Sequence, residues 1–119
     1  MKYTESHEWI EVQDQEGTIG VTDYAQQELG DIVYVELPEV GKTVEKGHEA
    51  VVLESTKAAA DVYAPVSGKI IAVNEALRDN PELVNQSPQK EGWLFRVELT
   101  KNDELDSLLE EEAYAKFIP

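Results

Sequence analysis

One lysine stands where chemistry can reach it. Lys57 lies in the stretch ESTKAAADVYAPVSG (Glu54–Gly68), among small neutral neighbours, in a chain otherwise crowded with acids. The runs on either side alternate as strands do, so Lys57 is expected at or near a bend between two strands, presented to solvent. Ser55 precedes it by two positions, which in a strand puts both side chains on one side and raises a serine–lysine nucleophile pair. The known Ser-x-x-Lys arrangement has different spacing and sits on a helix, so that reading is set aside.

The other reactive residue types are less promising. His7 and His48 are far apart and the chain has no cysteine. A transition-metal site would need several carboxylates gathered around them, so both histidines read as surface or structural residues and no metal is expected. Gly41 and Gly47 lack the lysine and hydroxyl that complete a phosphate loop and read as turn residues. Glu110, Glu111 and Glu112 read as the solvated face of a helix. By residue type alone, Lys57 is an ordinary solubilising surface lysine.

The elements that must position it are mainly strands. Alternating runs occur at Glu8–Val12, Thr18–Val21, Ile32–Leu37, Ala50–Ser55, Lys69–Asn74 and Leu94–Leu99. In the third run Val33, Val35 and Leu37 are expected on one face, and in the last Phe95, Val97 and Leu99, by the two-residue period of a strand. Glycines and prolines at 17, 38, 41, 47, 65 and 68 punctuate these runs, as many short strands turning back on one another require. The segments VGKTVEKG and VSGKIIAV flank Lys57 as a faint internal duplication, suggesting a two-fold arrangement about the lysine hairpin. Thr22 as an N-cap and Gly30 just past the end bracket a short helix in TDYAQQELG. Another turn of helix is expected in NEALRDNPELVN before Pro81. The stretch NDELDSLLEEEAYAKF predicts one amphipathic helix, capped by Asn102 or Asp103, with Leu105, Leu108, Leu109 and Ala113 on its buried face.

Composition bounds the partners. The 119 residues suit a single domain, and the absence of cysteine excludes disulfides and thiolate metal sites. No apolar run approaches the roughly 20 residues of a membrane helix, and MKYTESHEW has no apolar signal region, so a soluble, cytoplasmic protein is expected. A net charge of −15 repels phosphates and anionic lipid while attracting basic protein surfaces, which disfavours nucleic acid and membrane as partners.

The wider pattern resembles a known family. ESTKAAADVYAPVSGKIIAVNE is similar to the lipoylation segment of the glycine cleavage system H proteins, and SHEW, TIGVTDYAQQELGDIVYVELPEVG, PELVNQSP, GWLFRV and LDSLLEEEAYAKF follow that family in order and spacing over nearly the whole chain. The resemblance implies a single lipoyl-carrier domain over residues 1–119. Its fold would be mainly β, a flattened barrel-sandwich hybrid of the lipoyl-domain kind, with short helices and the C-terminal helix. Lys57 would carry covalent lipoate, and Glu54 would be read by the lipoate-attaching enzymes. Ser6, Glu8 and Asp61 would line a cleft for the aminomethyl-bearing arm.

The family is a carrier and not an enzyme. It takes an aminomethyl group from glycine decarboxylase (P protein) to the tetrahydrofolate-dependent aminomethyltransferase (T protein), and dihydrolipoamide dehydrogenase (L protein) then reoxidises the arm. Thr56 stands where the family often has valine; threonine is also β-branched and suits a strand end. Thr56 and Ala58 also argue against a biotin carrier, whose lysine would be flanked by methionines. SHEW and the C-terminal segment exceed a minimal lipoyl domain of a 2-oxo acid dehydrogenase, and intact Lys57 with Glu54 argues against an unmodified interaction domain.

Overall fold

The structure is a computed structural model that describes all of residues 1–119. Its nine strands form two sheets. The larger holds β1 (Lys2–Tyr3), β2 (Glu8–Gln13), β3 (Glu16–Val21), β9 (Phe95–Leu99), β8 (Gly68–Val73) and β5 (Thr43–Val44), hydrogen-bonded in that order. The smaller holds β4 (Ile32–Glu36), β6 (Glu49–Ser55) and β7 (Ala59–Tyr63) in the order β4-β6-β7. Neither sheet closes into a barrel, and the molecule is only 21 Å through its thinnest dimension. This is the flattened sandwich that the family resemblance implies.

The core lies between the sheets. Ile19 and Val21 of β3, Phe95, Val97 and Leu99 of β9 and Ile70 of β8 meet Ile32 and Val35 of β4, Val51 and Leu53 of β6 and Val62 of β7, all buried. Alternation places Phe95, Val97 and Leu99 together on the inner face, as the sequence predicts. The two duplicated segments pair with each other: Thr43 lies opposite Lys69 and Val44 opposite Gly68, in antiparallel register.

Two expectations need correction. Val33 does not share a face with Val35; it is 55 % exposed, while Ile32 and Val35 are buried. The cause is a register shift between Ile32 and Tyr34 against β6, because an extra residue at a bulge reverses the alternation on one side of it. The C-terminal stretch is not one helix with a leucine face. A 3-10 helix spans Asn102–Ser107, and α4 begins only at Glu111 and runs to Phe117. Between them the chain is extended, and Leu109 exchanges two backbone hydrogen bonds of 2.8 Å with Tyr3.

The leucines serve two separate clusters, which explains the break. Leu105 and Leu108 pack on the main core, whereas Leu109 packs with Tyr3, Trp9 and Tyr114. One straight helix cannot face both. Ala113 is exposed, and neither Asn102 nor Asp103 caps the segment, since Lys101 precedes the 3-10 helix without a side-chain cap bond.

The remaining helices are short. α1 (Asp23–Leu29) has the expected caps: Thr22 Oγ1 accepts from Ala25 N, and Gly30 N–H donates to Gln26 O. The NEALRDNPELVN region holds two turns, α2 (Ala76–Asp79) before Pro81 and α3 (Leu83–Gln86) after it. Gly20 faces Trp9 across β2 and β3, and a Cβ there would lie 2.7 Å from the indole ring. Only glycine lets Trp9 lie flat on that strand.

Candidate functional site

Lys57 occupies the tight turn between β6 and β7 and is exposed. Ser55 builds that turn. Its Oγ accepts from the backbone N–H groups of Lys57 and Ala58, each at 3.1 Å, and donates to Ala58 O at 3.1 Å. Serine and threonine hydroxyls stabilise turns this way by bonding nearby main chain. Ser55 is therefore a structural partner of Lys57 and not part of a nucleophile pair. The turn is held against the rest of the molecule where Thr56 N–H donates to Asp31 O at 3.1 Å.

The corner that receives the turn is pinned by Asn85. Its Oδ1 accepts from Ile32 N at 2.8 Å, and its Nδ2 donates to Gly30 O at 2.8 Å and to Gln26 Oε1 at 3.0 Å. One side chain from α3 thus fixes the end of α1 and the start of β4 together. The Lys57 ammonium reaches across this corner to Glu28 O, 3.2 Å away at the C-terminal end of α1. A cation suits that end, where unpaired carbonyls point outward.

Beside the hairpin lies a cleft of about 180 Å³. One wall is the turn after β1, with Ser6 and His7, and the first residue of β2, Glu8; the second is α1, with Tyr24, Ala25, Glu28 and Leu29; β7 closes it with Ala60, Asp61 and Val62. The structure thus brings together Ser6, Glu8 and Asp61, which the sequence resemblance had grouped. Glu54 stands apart from the cleft, exposed on β6 opposite Ala59.

Glu8 is the least ordinary of these residues, being only 2 % exposed. Its Oε1 accepts from Thr4 Oγ1 at 2.5 Å and Ser6 Oγ at 2.6 Å, and its Oε2 from Tyr63 N at 3.2 Å. Burial raises the carboxyl above its usual pKa, and the hydrogen bonds from Ser6, Thr4 and Tyr63 pull against that rise. The cleft lining carries three carboxylates, Glu8, Glu28 and Asp61, and no lysine or arginine. Its histidine, His7, is pushed below the usual value by burial, against the attraction of Glu28, and adds little positive charge at neutral pH. Such a site suits a small cation with an apolar stem.

His7, Tyr24 and Glu28 were not singled out as cleft residues from the sequence. Their signal was available for α1, since Tyr24, Ala25, Glu28 and Leu29 follow the helical i, i+1, i+4, i+5 spacing and share one side. His48 is exposed, and no group of three His, Asp or Glu residues is gathered in metal-binding geometry.

The profile of the family described as Glycine cleavage H-protein matches residues 1–119. The chain belongs to this family. Relatives bear this out along the length: a glycine cleavage system H protein of Thermotoga maritima is 55 % identical over 116 residues, covering 98 % of this chain and 94 % of that protein. One from Alcanivorax borkumensis is 56 % identical over 114 residues, covering 96 % and 89 %. The crystal structure of a glycine cleavage system H protein from Mycobacterium marinum superposes with a TM-score of 0.89 at 40 % identity, covering 97 % of this chain and 93 % of that one. H proteins are the lipoyl-bearing shuttles of the glycine cleavage system, carriers and not enzymes. The H-protein fold here sets a hairpin lysine beside an acidic cleft. No helix is long and apolar enough to cross a membrane.

Proposed function

We propose that Lys57 bears the lipoyl group and that the chain carries an aminomethyl group from glycine decarboxylase to the tetrahydrofolate-dependent aminomethyltransferase, after which dihydrolipoamide dehydrogenase reoxidises the arm. The observation that carries this reading is the exposed Lys57 turn standing beside a cleft whose ionisable lining is acidic. In amide linkage to Lys57, lipoate supplies a disulfide that opens to take the aminomethyl cargo. The chain's own residues do the rest. Ser55 holds the turn so that the lysine projects, and Ala58 and the exposed Ala59 leave it unobstructed. The four methylenes of Lys57 add reach, so one tether can visit several enzymes at high effective concentration.

Glu8 and Asp61 face a protonated amine with negative charge, and Ser6 orients the Glu8 carboxylate from 2.6 Å. A charge-assisted hydrogen bond in a partly dry cleft holds the cargo and keeps water from it. Glu54, exposed three residues before Lys57, is the acid the lipoate-attaching enzymes would read. Residues 1–119 would act as one carrier domain, in the cytoplasm of a bacterial-type cell beside the enzymes it serves. The test is lipoylation of wild type and Lys57→Arg followed by peptide mapping. Lipoate on Lys57 alone, and none on the variant, is the expected result; modification of Lys42, Lys46 or Lys69 would overturn the assignment.

A further inference from the structure

Behind the cleft, one hydroxyl joins its two walls. Tyr114 of α4 is buried, and its ring stacks on Tyr3 with centroids 4.6 Å apart and planes 8° from parallel. Its hydroxyl lies 2.9 Å from His7 Nδ1 and 2.7 Å from Thr22 Oγ1. His7 belongs to the wall that carries Ser6 and Glu8. Thr22 is the N-cap of α1, the opposite wall, and its N–H donates to His7 O at 3.0 Å.

The donors and acceptors close into one chain. Ala25 N–H donates to Thr22 Oγ1. With Thr22 O–H donating to the Tyr114 oxygen and Tyr114 O–H donating to a neutral His7 at Nδ1, both hydroxyls and the ring nitrogen at this junction are paired. His7 itself has φ +72°, a left-handed conformation that costs a residue other than glycine about 1–2 kcal/mol. Main-chain bonds hold that turn, His7 N–H to Thr4 O at 3.1 Å and Thr22 N–H to His7 O at 3.0 Å, and the Tyr114 hydroxyl adds a side-chain tie to α1, so that its loss loosens the segment with Ser6 and Glu8 on either side of His7.

We propose that the Tyr114 hydroxyl is a positioning group for the cleft. From the far end of the chain it fixes the loop bearing Ser6 and Glu8 against α1, and so sets how tightly the cleft closes on an amine-bearing arm. The inference rests on the cleft reading above. Tyr114 itself does not line the cleft.

Tyr114→Phe keeps the ring and its stack on Tyr3 and removes the hydroxyl alone. Two measurements test it, the first on unloaded protein. Amide exchange at Thr22, whose N–H bonds His7 O, should quicken roughly fivefold, the worth of one neutral hydrogen bond. The second is spontaneous decay of the loaded protein, in which water cleaves the carbon–sulfur bond and the aminomethyl group leaves as formaldehyde and ammonium while the sulfur is returned as thiol. Formaldehyde release should rise severalfold in Tyr114→Phe, and likewise in Thr22→Val, whereas Thr22→Ser should match wild type. Glu8→Gln is the control for the cleft. If Glu8→Gln speeds release but Tyr114→Phe leaves release or Thr22 exchange at the wild-type rate, the positioning role is wrong and the cleft stands. If Glu8→Gln also leaves release unchanged, the cleft reading falls and takes the positioning role with it.

Discussion

Gly30 is where the backbone of the site is under the tightest constraint, and replacing it with alanine tests why. Its φ of 85° and ψ of −163° lie in a region open essentially to glycine alone, and holding another residue there costs about 1–3 kcal/mol. The added Cβ would also lie 2.9 Å from Lys57 Cε. That second effect is small, because Lys57 is exposed and can swing away, giving up only its bond to Glu28 O. Alanine also restricts the unfolded chain, which returns about 0.4–1 kcal/mol. The net loss is therefore about 1–2 kcal/mol, and with a urea dependence of about 1.5 kcal/mol per M the unfolding midpoint should fall by about 1 M. Urea denaturation of Gly30→Ala, with and without Lys57→Ala, separates the two causes. An equal fall in both backgrounds places the cost in the backbone. A midpoint within about 0.2 M of wild type, or a fall that disappears when Lys57 is alanine, would refute the reasoning.

Other outcomes follow from the same geometry. Asn85→Ala removes the acceptor of Ile32 N and the donor to Gly30 O, so it should cost about 2 kcal/mol and speed exchange of the Ile32 amide; wild-type protection there would show that Asn85 does not pin the corner. Because burial raises the Glu8 carboxyl, the native state keeps its proton to higher pH than the unfolded chain. The stability this contributes is full below the usual value of 4.5 and is lost as pH rises through the raised native value. Glu8→Gln, which cannot ionise, should therefore gain stability relative to wild type as pH rises from the usual value of 4.5 through the raised native value, measured as urea midpoints; parallel curves would contradict the burial argument. With a charge of −15, docking to basic enzyme surfaces should weaken as salt shortens the screening length from about 10 Å at 0.1 M to about 3 Å at 1 M. The apparent KM of glycine decarboxylase for this protein should rise accordingly, and a flat response would mean that apolar contacts dominate.

Much of the fold is legible in the sequence, and the gaps have local causes. Strands β2, β3, β6, β8 and β9 announce themselves by alternation, and α1 by Thr22 and Gly30. The two-residue strands β1 and β5 are too short to show a period, and β7 is masked by Ala59 and Ala60, which carry little strand signal. The Val33 bulge and the break at Leu108–Glu110 depend on which partner each residue meets, Ser55 and Glu54 for β4 and Tyr3 for Leu109. No local pattern holds that information. Lys57, Ser6, Glu8 and Asp61 could be named from motif resemblance, but not the burial of Glu8, which comes from Thr4, Ser6 and the β7 edge folding over it. The Thr22–Tyr114 bond joins residues 92 apart in sequence and was invisible until the chain was folded.

The central claim is that cargo rides on Lys57. Glycine labelled at the methylene carbon and nitrogen, given to glycine decarboxylase together with the lipoylated protein, should leave both labels on one peptide, the one that contains Lys57, while a label in the carboxyl group is lost as carbon dioxide. Peptide-resolved mass spectrometry reads this directly. Label on the Lys57 peptide that is absent from Lys57→Arg is the predicted result; label on another peptide, or none on lipoylated protein, would contradict the account.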